Sequence, residues 1–239
     1  MTWKLTFRIH RYKPNETPRV DSYDVELEPE RTILDGIEQV WALHDRTLTF
    51  RHACHHASCG SCAVVVNGVE RLPCIVELQA VTSNGGTLEI APLRNFPVVS
   101  DLVVDMEPMF EDIRRTDTPI IGPTDPLPNQ ADEDFHAYEN CIECGICMSA
   151  CPVVATDPTY MGPAPLALAQ RAADTGTHSL DSILDLVDTE DGIWRCHVAY
   201  ECSAVCPSNV DPAGKIMWLR RRAMGRRIRR FFGVKQPTD

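Results

Sequence analysis

Eleven cysteines, grouped in three runs, are the residues of this 239-residue chain that are best suited to do chemistry. The first run has the spacing Cys-x4-Cys-x2-Cys with a further cysteine downstream, which is the plant-type spacing for a 2Fe-2S cluster. The short loop lets three thiolates converge, and its backbone amides can donate hydrogen bonds to the cluster sulfides. The expected ligands are Cys54, Cys59, Cys62 and Cys74.

Two other metal centres fit this first run less well. A structural zinc site favours closely paired ligands at both ends of the motif, and this run has no such pairs. His55 and His56 suggest a Rieske centre, but that centre needs Cys-x-His ligand pairs, which are absent here. The two histidines are therefore interpreted as exposed loop residues, and Gly60 and Ala57 as small residues that keep the loop narrow.

The second run has the bacterial ferredoxin spacing, in which three cysteines hold one 4Fe-4S cluster and the fourth ligates another cluster. It recurs 55 residues later, with Ala199 in place of the second cysteine. One corner of that second cluster lacks a thiolate, so we expect a 3Fe-4S cluster there. The 4Fe-4S ligands are predicted to be Cys141, Cys144, Cys147 and Cys206, and the 3Fe-4S ligands Cys151, Cys196 and Cys202.

This assignment uses every cysteine of the chain. A rival interpretation keeps a fourth iron in the last cluster, held by water or by Glu201, against the preference of such clusters for thiolate. Disulfides are disfavoured because the cysteine number is odd and the N-terminus lacks the pattern of a secretory signal. Clusters of different nuclearity differ in potential, and the 3Fe cluster suits the more oxidising end of a relay.

The strands and the helix predicted around the first cysteine run are those of a β-grasp ferredoxin. Apolar residues alternate from Trp3 to Ile9 and again over 23–27, the pattern of half-buried strands. Thr32 is placed to cap a helix, and Asn67-Gly68 predicts a type I′ hairpin between flanking valines. Another short strand is predicted over 88–91.

The second half of the chain reads as mostly helical. Residues 102–110 have helical spacing, prolines then interrupt the pattern, and helical spacing resumes from Leu166. We therefore predict an α+β protein with an N-terminal β-grasp plant-type 2Fe-2S ferredoxin domain (1–104), a helix and Pro-rich linker (105–130), and a mostly α-helical bacterial-type ferredoxin domain with a basic tail (131–239).

Composition and charge limit the functional classes. The chain is 44% apolar and 24% charged, as in globular proteins, and no apolar run approaches the ~18 residues of a membrane span. Net charge is −11, yet residues 212–239 carry nine Lys or Arg and one acid. The basic segment 215–232 suits anionic lipid headgroups; a solvated or subunit-contacting helix is the alternative. Nucleic acid is not expected as a partner, because the acidic body would repel phosphate.

With the cluster order 2Fe, 4Fe, 3Fe, the chain resembles the iron-sulfur subunits of succinate dehydrogenase and fumarate reductase. The resemblance covers nearly the whole length. Beyond the cysteines it rests on the segment from Phe96 to Met106, Ile142-Glu143-Cys144-Gly145, Gly162-Pro163-Ala164 and Arg195-Cys196-His197.

The resemblance implies a flavoprotein partner that oxidises succinate at FAD, and membrane anchor subunits that hold a quinone. Electrons pass singly from the flavin through this chain, at the cytoplasmic face of the inner membrane of a prokaryote. Proton abstraction and hydride transfer belong to the partner, so the chain contributes no catalytic residue and is not active alone. His197 and Pro152 match family positions near the quinone.

Two departures from the family pattern bear on function. Tryptophans usually follow the Cys-Pro pair in ubiquinone-reducing members, whereas residues 153–156 here are Val-Val-Ala-Thr, which favours menaquinone. The family's Arg-Glu-Gly after the first 2Fe ligand is replaced by residues 55–57, His-His-Ala. A quinol:fumarate reductase running in reverse is the nearest alternative function. A free ferredoxin-like carrier and a zinc-stabilised interaction module are alternatives from other classes.

Overall fold

The computed structural model describes residues 1–116 and 141–233. These residues form two compact units: the first comprises 1–108 and 141–150, and the second comprises the described residues of 109–140 and 151–239. The predicted linker beyond residue 116 lies outside the described residues. Within the described ranges, no helix combines the length and apolar character needed to cross a bilayer.

The strands of the first unit are β1 (Trp3–Arg11), β2 (Arg19–Leu27), β3 (Val64–Val66), β4 (Val69–Arg71), β5 (Thr87–Ala91), β6 (Val98–Ser100) and β7 (Val103–Val104). The first five form a mixed sheet in the order β2-β1-β5-β3-β4. β1 is antiparallel to β2 and parallel to β5, with Thr6 opposite Thr87. β6 and β7 form a separate antiparallel pair.

One helix, α1 (Ile33–Gln39), packs on this sheet, as the β-grasp prediction requires. Thr32 and Asp35 form a reciprocal capping box at its start, the arrangement expected from the sequence. A Cβ at Gly36 would lie 2.2 Å from Cζ of Phe7, so glycine allows the helix to sit against the ring. A turn of π-helix follows at Val40–His44.

The predicted hairpin forms with the predicted turn. Asn67 and Gly68 both have positive φ, 49° and 81°, as a type I′ turn requires. The helix predicted over 102–110 is wrong in its first part: β7 occupies Val103–Val104, and helix α2 runs over Glu107–Arg115. The β-branched pair at 103–104 finds strand partners in β6, and the carboxylate of Asp105 accepts the Glu107 N–H where the helix begins.

Residues 141–150 group with the first unit, whereas the sequence pattern predicts that they belong to the domain 131–239. Helix α3 (Ile146–Ser149) lies in this stretch. The Ser149 hydroxyl accepts a hydrogen bond from the Arg94 N–H and donates one to Glu70, both at 2.8 Å. The Asn95 amide donates to the carbonyls of Met148 and Ser149, both at 2.9 Å. These long-range bonds are not visible in the spacing of the cysteines.

The second unit is helical, as predicted. Its core joins apolar residues of three helices, including Leu166, Ile183 and Ile216. Ser179 caps the second of these and Asp211 the third, each accepting a backbone N–H three residues on. In addition to α2 from residue 109 onward and a 3-10 turn at Ile193–Arg195, this unit contains the helices α4 (Pro163–Asp174), α5 (Leu180–Val187), α6 (Glu201–Ala204) and α7 (Pro212–Phe231).

Candidate metal centres

The loop of the first cysteine run is shaped to present its backbone amides to sulfur. Three of its residues, His55, Ala57 and Gly60, have positive φ between 58° and 67°. The N–H groups of Ser58 and Cys59 each lie 3.3 Å from Sγ of Cys54 and donate to it. Successive amides turned inward in this way form a concave surface that favours negative charge. The loop therefore fits a thiolate-bound, anionic cluster.

The four cysteines of this run are neighbours in the first unit. Hydrogen bonds from loop amides, the His56 N–H foremost, lower the pKa of the Cys54 thiol to about 7. Burial raises the pKa of Cys62 to about 12, and this thiol hydrogen-bonds with Cys74. A thiol with so high a pKa is not a nucleophile at neutral pH. Metal coordination removes the thiol proton, so it would allow this buried cysteine to serve as a thiolate ligand.

The first cysteine loop lies directly against the second. A Cβ added at Gly60 would lie 2.6 Å from Cβ of Cys144 and 3.0 Å from the carbonyl oxygen of Ile142. No side chain fits in that space, and φ at Gly60 is +67°. Glycine is required there on both counts.

The two copies of the repeat share one local conformation. In the first copy Glu143 and Gly145 have φ of 52° and 76°, and in the second Val198 and Tyr200 have φ of 59° and 62°. Each left-handed pair is followed at once by a four-residue helix, α3 and α6. Because a left-handed β-branched valine is strained, the second copy holds this shape against backbone preference.

The cysteines assigned to the third cluster share one small pocket in the second unit. Cys151, Cys196 and Cys202 all line it, and so does Ala199. Burial raises the pKa of both Cys151 and Cys202, the latter to about 12. Three cysteines whose thiols interact electrostatically therefore line one pocket with an alanine, which fits a ligand set for three metal atoms.

The predicted quinone residues border the same pocket. Pro152 and His197 both line it, and His197 is exposed to solvent. Tyr160, which sequence reasoning missed, contributes a further wall. This side chain is 2% exposed, burial raises the pKa of its hydroxyl far above the usual range, and the hydroxyl hydrogen-bonds with Cys196. It therefore remains a protonated donor beside a predicted ligand.

Two arginines brace the backbone around Cys196. Arg220 of α7 donates to the carbonyl oxygens of Ile193, Trp194 and Cys196. Arg195 pairs with the carboxylate of Asp157. Arg220 belongs to the basic segment 215–232 that was expected to suit lipid headgroups, and the structure instead gives it an internal role. Only the long-range fold brings α7 to these carbonyls, so no local signal pointed to it.

Two family models match the chain: a 2Fe-2S iron-sulfur cluster binding domain over residues 6–111, and a 4Fe-4S dicluster domain over residues 137–210. The chain is 35% identical over 224 residues to the fumarate reductase iron-sulfur subunit of Mycobacterium tuberculosis, and the match covers 89% of this chain and 90% of that relative. This chain belongs to the family of succinate dehydrogenase and fumarate reductase iron-sulfur subunits.

Some relatives of this iron-sulfur subunit are named fumarate reductase subunits and others are named succinate dehydrogenase subunits. The succinate dehydrogenase iron-sulfur subunit of Paracoccus denitrificans is 32% identical over 222 residues, covering 88% of this chain and 84% of the relative. Among solved structures, the Mycobacterium smegmatis Sdh1 complex in the apo form matches with a TM-score of 0.78 at 25% identity, covering 95% of this chain and 98% of that one.

These findings confirm the main sequence predictions for the iron-sulfur subunit. The fold is α+β, with an N-terminal 2Fe-2S ferredoxin domain and a C-terminal 4Fe-4S ferredoxin domain. Its relatives are subunits of multi-subunit oxidoreductase complexes. The subunit accordingly works in electron transfer through iron-sulfur clusters within such a complex.

Proposed function

We propose that this subunit carries electrons one at a time between the FAD of a flavoprotein subunit and a membrane quinone, by way of 2Fe-2S, 4Fe-4S and 3Fe-4S clusters. One observation supports the three cluster types: the spacing of the eleven cysteines, in which Ala199 takes the place of a twelfth. Ala199 lines the pocket of the second unit together with Cys151, Cys196 and Cys202, and in the 55-residue repeat it occupies the position of a cysteine. Bound clusters supply one-electron redox chemistry, with potentials that depend on cluster type and surroundings.

The chain's own residues hold and tune these centres. The proposed ligands follow the sequence assignment: Cys54, Cys59, Cys62 and Cys74 for 2Fe-2S; Cys141, Cys144, Cys147 and Cys206 for 4Fe-4S; Cys151, Cys196 and Cys202 for 3Fe-4S. All eleven side chains are thiols rather than disulfides. Amide donors at Cys54 and the hydroxyl donor at Cys196 offset the negative charge of the thiolates.

The quinone is proposed to bind beside His197 and Pro152, and to be menaquinone. Both residues border the pocket of the 3Fe ligands. The segment after Pro152 offers no indole, and the Thr156 hydroxyl donates to backbone carbonyls of Pro152 and Val153, each at 3.2 Å. An aromatic hydrogen-bond donor for a ubiquinone is therefore missing from that segment, which favours a differently built site.

Succinate oxidation is the proposed direction, with electrons flowing from flavin to quinone in the respiratory chain and tricarboxylic acid cycle. Fumarate reduction by the reverse flow is the second candidate, and the name of the Mycobacterium tuberculosis relative favours it. Ligand identity sets cluster type, whereas potentials also depend on hydrogen bonding and burial. A tenfold bias per electron requires only about 59 mV.

The complex is proposed to sit at the cytoplasmic face of the inner membrane of a prokaryote, held by anchor subunits. The C-terminal end of α7 is the proposed lipid contact of this chain. Arg226 is buried and pairs with Asp185 at 2.7 Å, and Arg227 pairs with Asp188 at 2.6 Å, so these two cations face the protein. Ile228, Phe231 and Phe232 are exposed, with 50%, 85% and 72% of their surface accessible. An apolar end flanked by arginines suits an anionic membrane surface.

Isolation of the complex from its membrane tests the proposal. We expect this chain to co-purify with a larger flavin-bearing subunit, and succinate to reduce its clusters in the absence of any other donor. A chain that purifies alone as a stable iron-sulfur protein, and that succinate does not reduce in the parent membrane, would instead identify a free ferredoxin-like carrier.

A further inference from the structure

We propose that Glu38, His52 and His55 form a binding site for a divalent transition-metal ion, zinc being the best match, on the surface of the first unit. This triad lies outside the cysteine sets and supplies no ligand to the proposed iron-sulfur clusters. Glu38 is on α1, and the two histidines are on the segment that leads into the 2Fe-2S loop. Three of its donor atoms lie close together, and one of them is a buried oxygen.

The donor atoms converge on one point. Nδ1 of His52 lies 3.0 Å from Nε2 of His55, and these nitrogens lie 3.3 and 3.4 Å from Oε1 of Glu38. Ligand atoms bound tetrahedrally to zinc at roughly 2.0–2.1 Å are separated from one another by roughly 3.3–3.4 Å. The three separations are therefore close to those of a zinc ligand set before any rearrangement.

Hydrogen bonding within the triad does not satisfy its carboxylate. The two histidine nitrogens form a hydrogen bond with each other. Oε1 of Glu38 is buried, yet among the described residues it receives no hydrogen bond, although both nitrogens are near it. A buried acceptor without a donor is costly. A cation between the three atoms would satisfy that oxygen and use the ring lone pairs.

The surroundings hold the triad in position and leave one side open. The His52 ring stacks on Phe50, with centroids 5.2 Å apart and planes 18° apart, and the His55 ring meets the His52 ring edge-on. The triad borders an open groove that is also lined by Trp41. Both histidines are about half exposed. A bound ion would thus keep a coordination position that faces solvent.

The donor chemistry selects the class of ion. Two imidazoles and one carboxylate suit zinc and the neighbouring late first-row dications, whereas calcium and magnesium prefer sites made only of oxygen. His55 directly follows Cys54, the first proposed 2Fe-2S ligand. A dication held there adds positive charge near that cluster and stabilises its reduced form.

Zinc counting on the purified complex tests the site directly. The complex is dialysed against chelator-buffered zinc, and zinc per chain is measured by mass spectrometry together with iron. We expect one zinc per wild-type chain with unchanged iron. His52→Ala and Glu38→Gln, on separate elements, should each weaken zinc binding by more than the ~10–100-fold that loss of a supporting group costs a metal site. His44→Ala, an exposed histidine outside the triad, is the matched control and should keep the zinc.

Absence of chain-bound zinc, or zinc retained equally by both triad variants, would overturn the proposal. A second readout is the 2Fe-2S midpoint potential, which zinc should raise in the wild type and not in Glu38→Gln. That readout depends on the proposed cluster, whereas the zinc count does not, so failure of the site and failure of the electron-transfer function are distinguishable.

Discussion

Tyr200 adopts the left-handed backbone conformation that Gly145 adopts 55 residues earlier, with φ of 62° and 76°. The same relation holds two residues before, between Val198 and Glu143. A non-glycine residue in this region costs about 1–2 kcal/mol. The second copy of the repeat has kept the loop shape without the glycine and with alanine in place of one cysteine. The φ angles of Val198 and Tyr200 therefore oppose the intrinsic backbone preference of these residues, both of which line the pocket of Cys151, Cys196 and Cys202.

Ala199→Cys should convert the terminal cluster from three irons to four. The methyl group of Ala199 lines the pocket of Cys151, Cys196 and Cys202, so a thiol at this position would complete a four-thiolate set. An added thiolate raises the negative charge and lowers the potential. Electron paramagnetic resonance of the oxidised complex should lose the 3Fe signal. If the variant retains that signal at full intensity, the fourth corner is not at position 199.

Tyr160→Phe should lower the potential of the terminal cluster while leaving its iron content intact. The buried hydroxyl hydrogen-bonds with Cys196, and such a bond stabilises the reduced cluster. Loss of about 1 kcal/mol corresponds to roughly 40 mV for one electron. A redox titration of the 3Fe signal measures the shift. Tyr200→Phe, at an exposed tyrosine of the same pocket, should leave the potential unchanged; an equal shift in both variants would exclude a specific role for Tyr160.

Gly60→Ala should disrupt the packing of the 2Fe-2S loop, because the new Cβ would lie 2.6 Å from Cβ of Cys144. Gly68→Ala is a matched control, since Gly68 also has positive φ but nothing lies within 4 Å of its Cβ position. The control should lose about 1–2 kcal/mol of stability from backbone strain alone. The Gly60 variant should lose more and hold less 2Fe-2S cluster, measured as spins per chain in the reduced state. Equal losses would show that the contact with Cys144 is unimportant.

Asp101→Asn should destabilise the first unit by about 3 kcal/mol. Arg11 and Asp101 are both fully buried and lie 3.1 Å apart, and Lys13 pairs with the same carboxylate at 2.8 Å. Burial alone would raise the pKa of Asp101, but hydrogen bonds from Lys13, Thr49 and Arg11 outweigh it and lower the pKa below 3.8.

The pH dependence of that loss follows from the sign of the shift. A carboxylate with a lowered pKa contributes its full stability above pH 3.8, and that contribution is lost only as the pH falls further. Urea midpoints, followed by the 2Fe-2S absorbance, should therefore differ between wild type and Asp101→Asn by a constant amount from pH 8 to pH 5. Asp24→Asn, at an exposed carboxylate of β2, should match the wild type. A gap that closes within this range would contradict the assignment.

A double change, Phe231→Ser with Phe232→Ser, should weaken binding of the cluster-loaded chain to vesicles that contain anionic lipid. These side chains are exposed beside arginines at the end of α7. Sedimentation with anionic and neutral vesicles measures the bound fraction. Leu43→Ser is the control, since Leu43 is 72% exposed, as Phe232 is, but lies in the first unit. Binding that is unaffected by the double change, or equal on neutral vesicles, would contradict a lipid contact.

Local patterns were sufficient for much of the fold. The alternation from Trp3, the Thr32 cap and the Asn67-Gly68 turn each act over a few residues, and each element forms where its pattern predicts. The strand pair β6–β7 was missed because its spacing also suits a helix, and only pairing between Val98 and Val104 decides it.

For the candidate sites too, local sequence patterns predict some features and long-range contacts determine the others. Cysteine spacing identifies the loops, since each run is short and its ligands converge locally. The Tyr160 contact with Cys196, the Arg220 bonds to three carbonyls and the approach of Glu38 to His52 all join residues distant in sequence. Cysteine spacing carries no information on such contacts. The side chains around the metal centres could therefore be identified only from the structure.

This chain is proposed to hold three iron-sulfur clusters of unequal size. Low-temperature electron paramagnetic resonance of the purified complex, oxidised and then reduced, with iron and acid-labile sulfide counted on the same sample, tests it most directly. We predict a 3Fe signal in the oxidised state, 2Fe and 4Fe signals on reduction, and about nine irons per chain. Zinc without acid-labile sulfide, or an oxidised sample without the 3Fe signal, would contradict it.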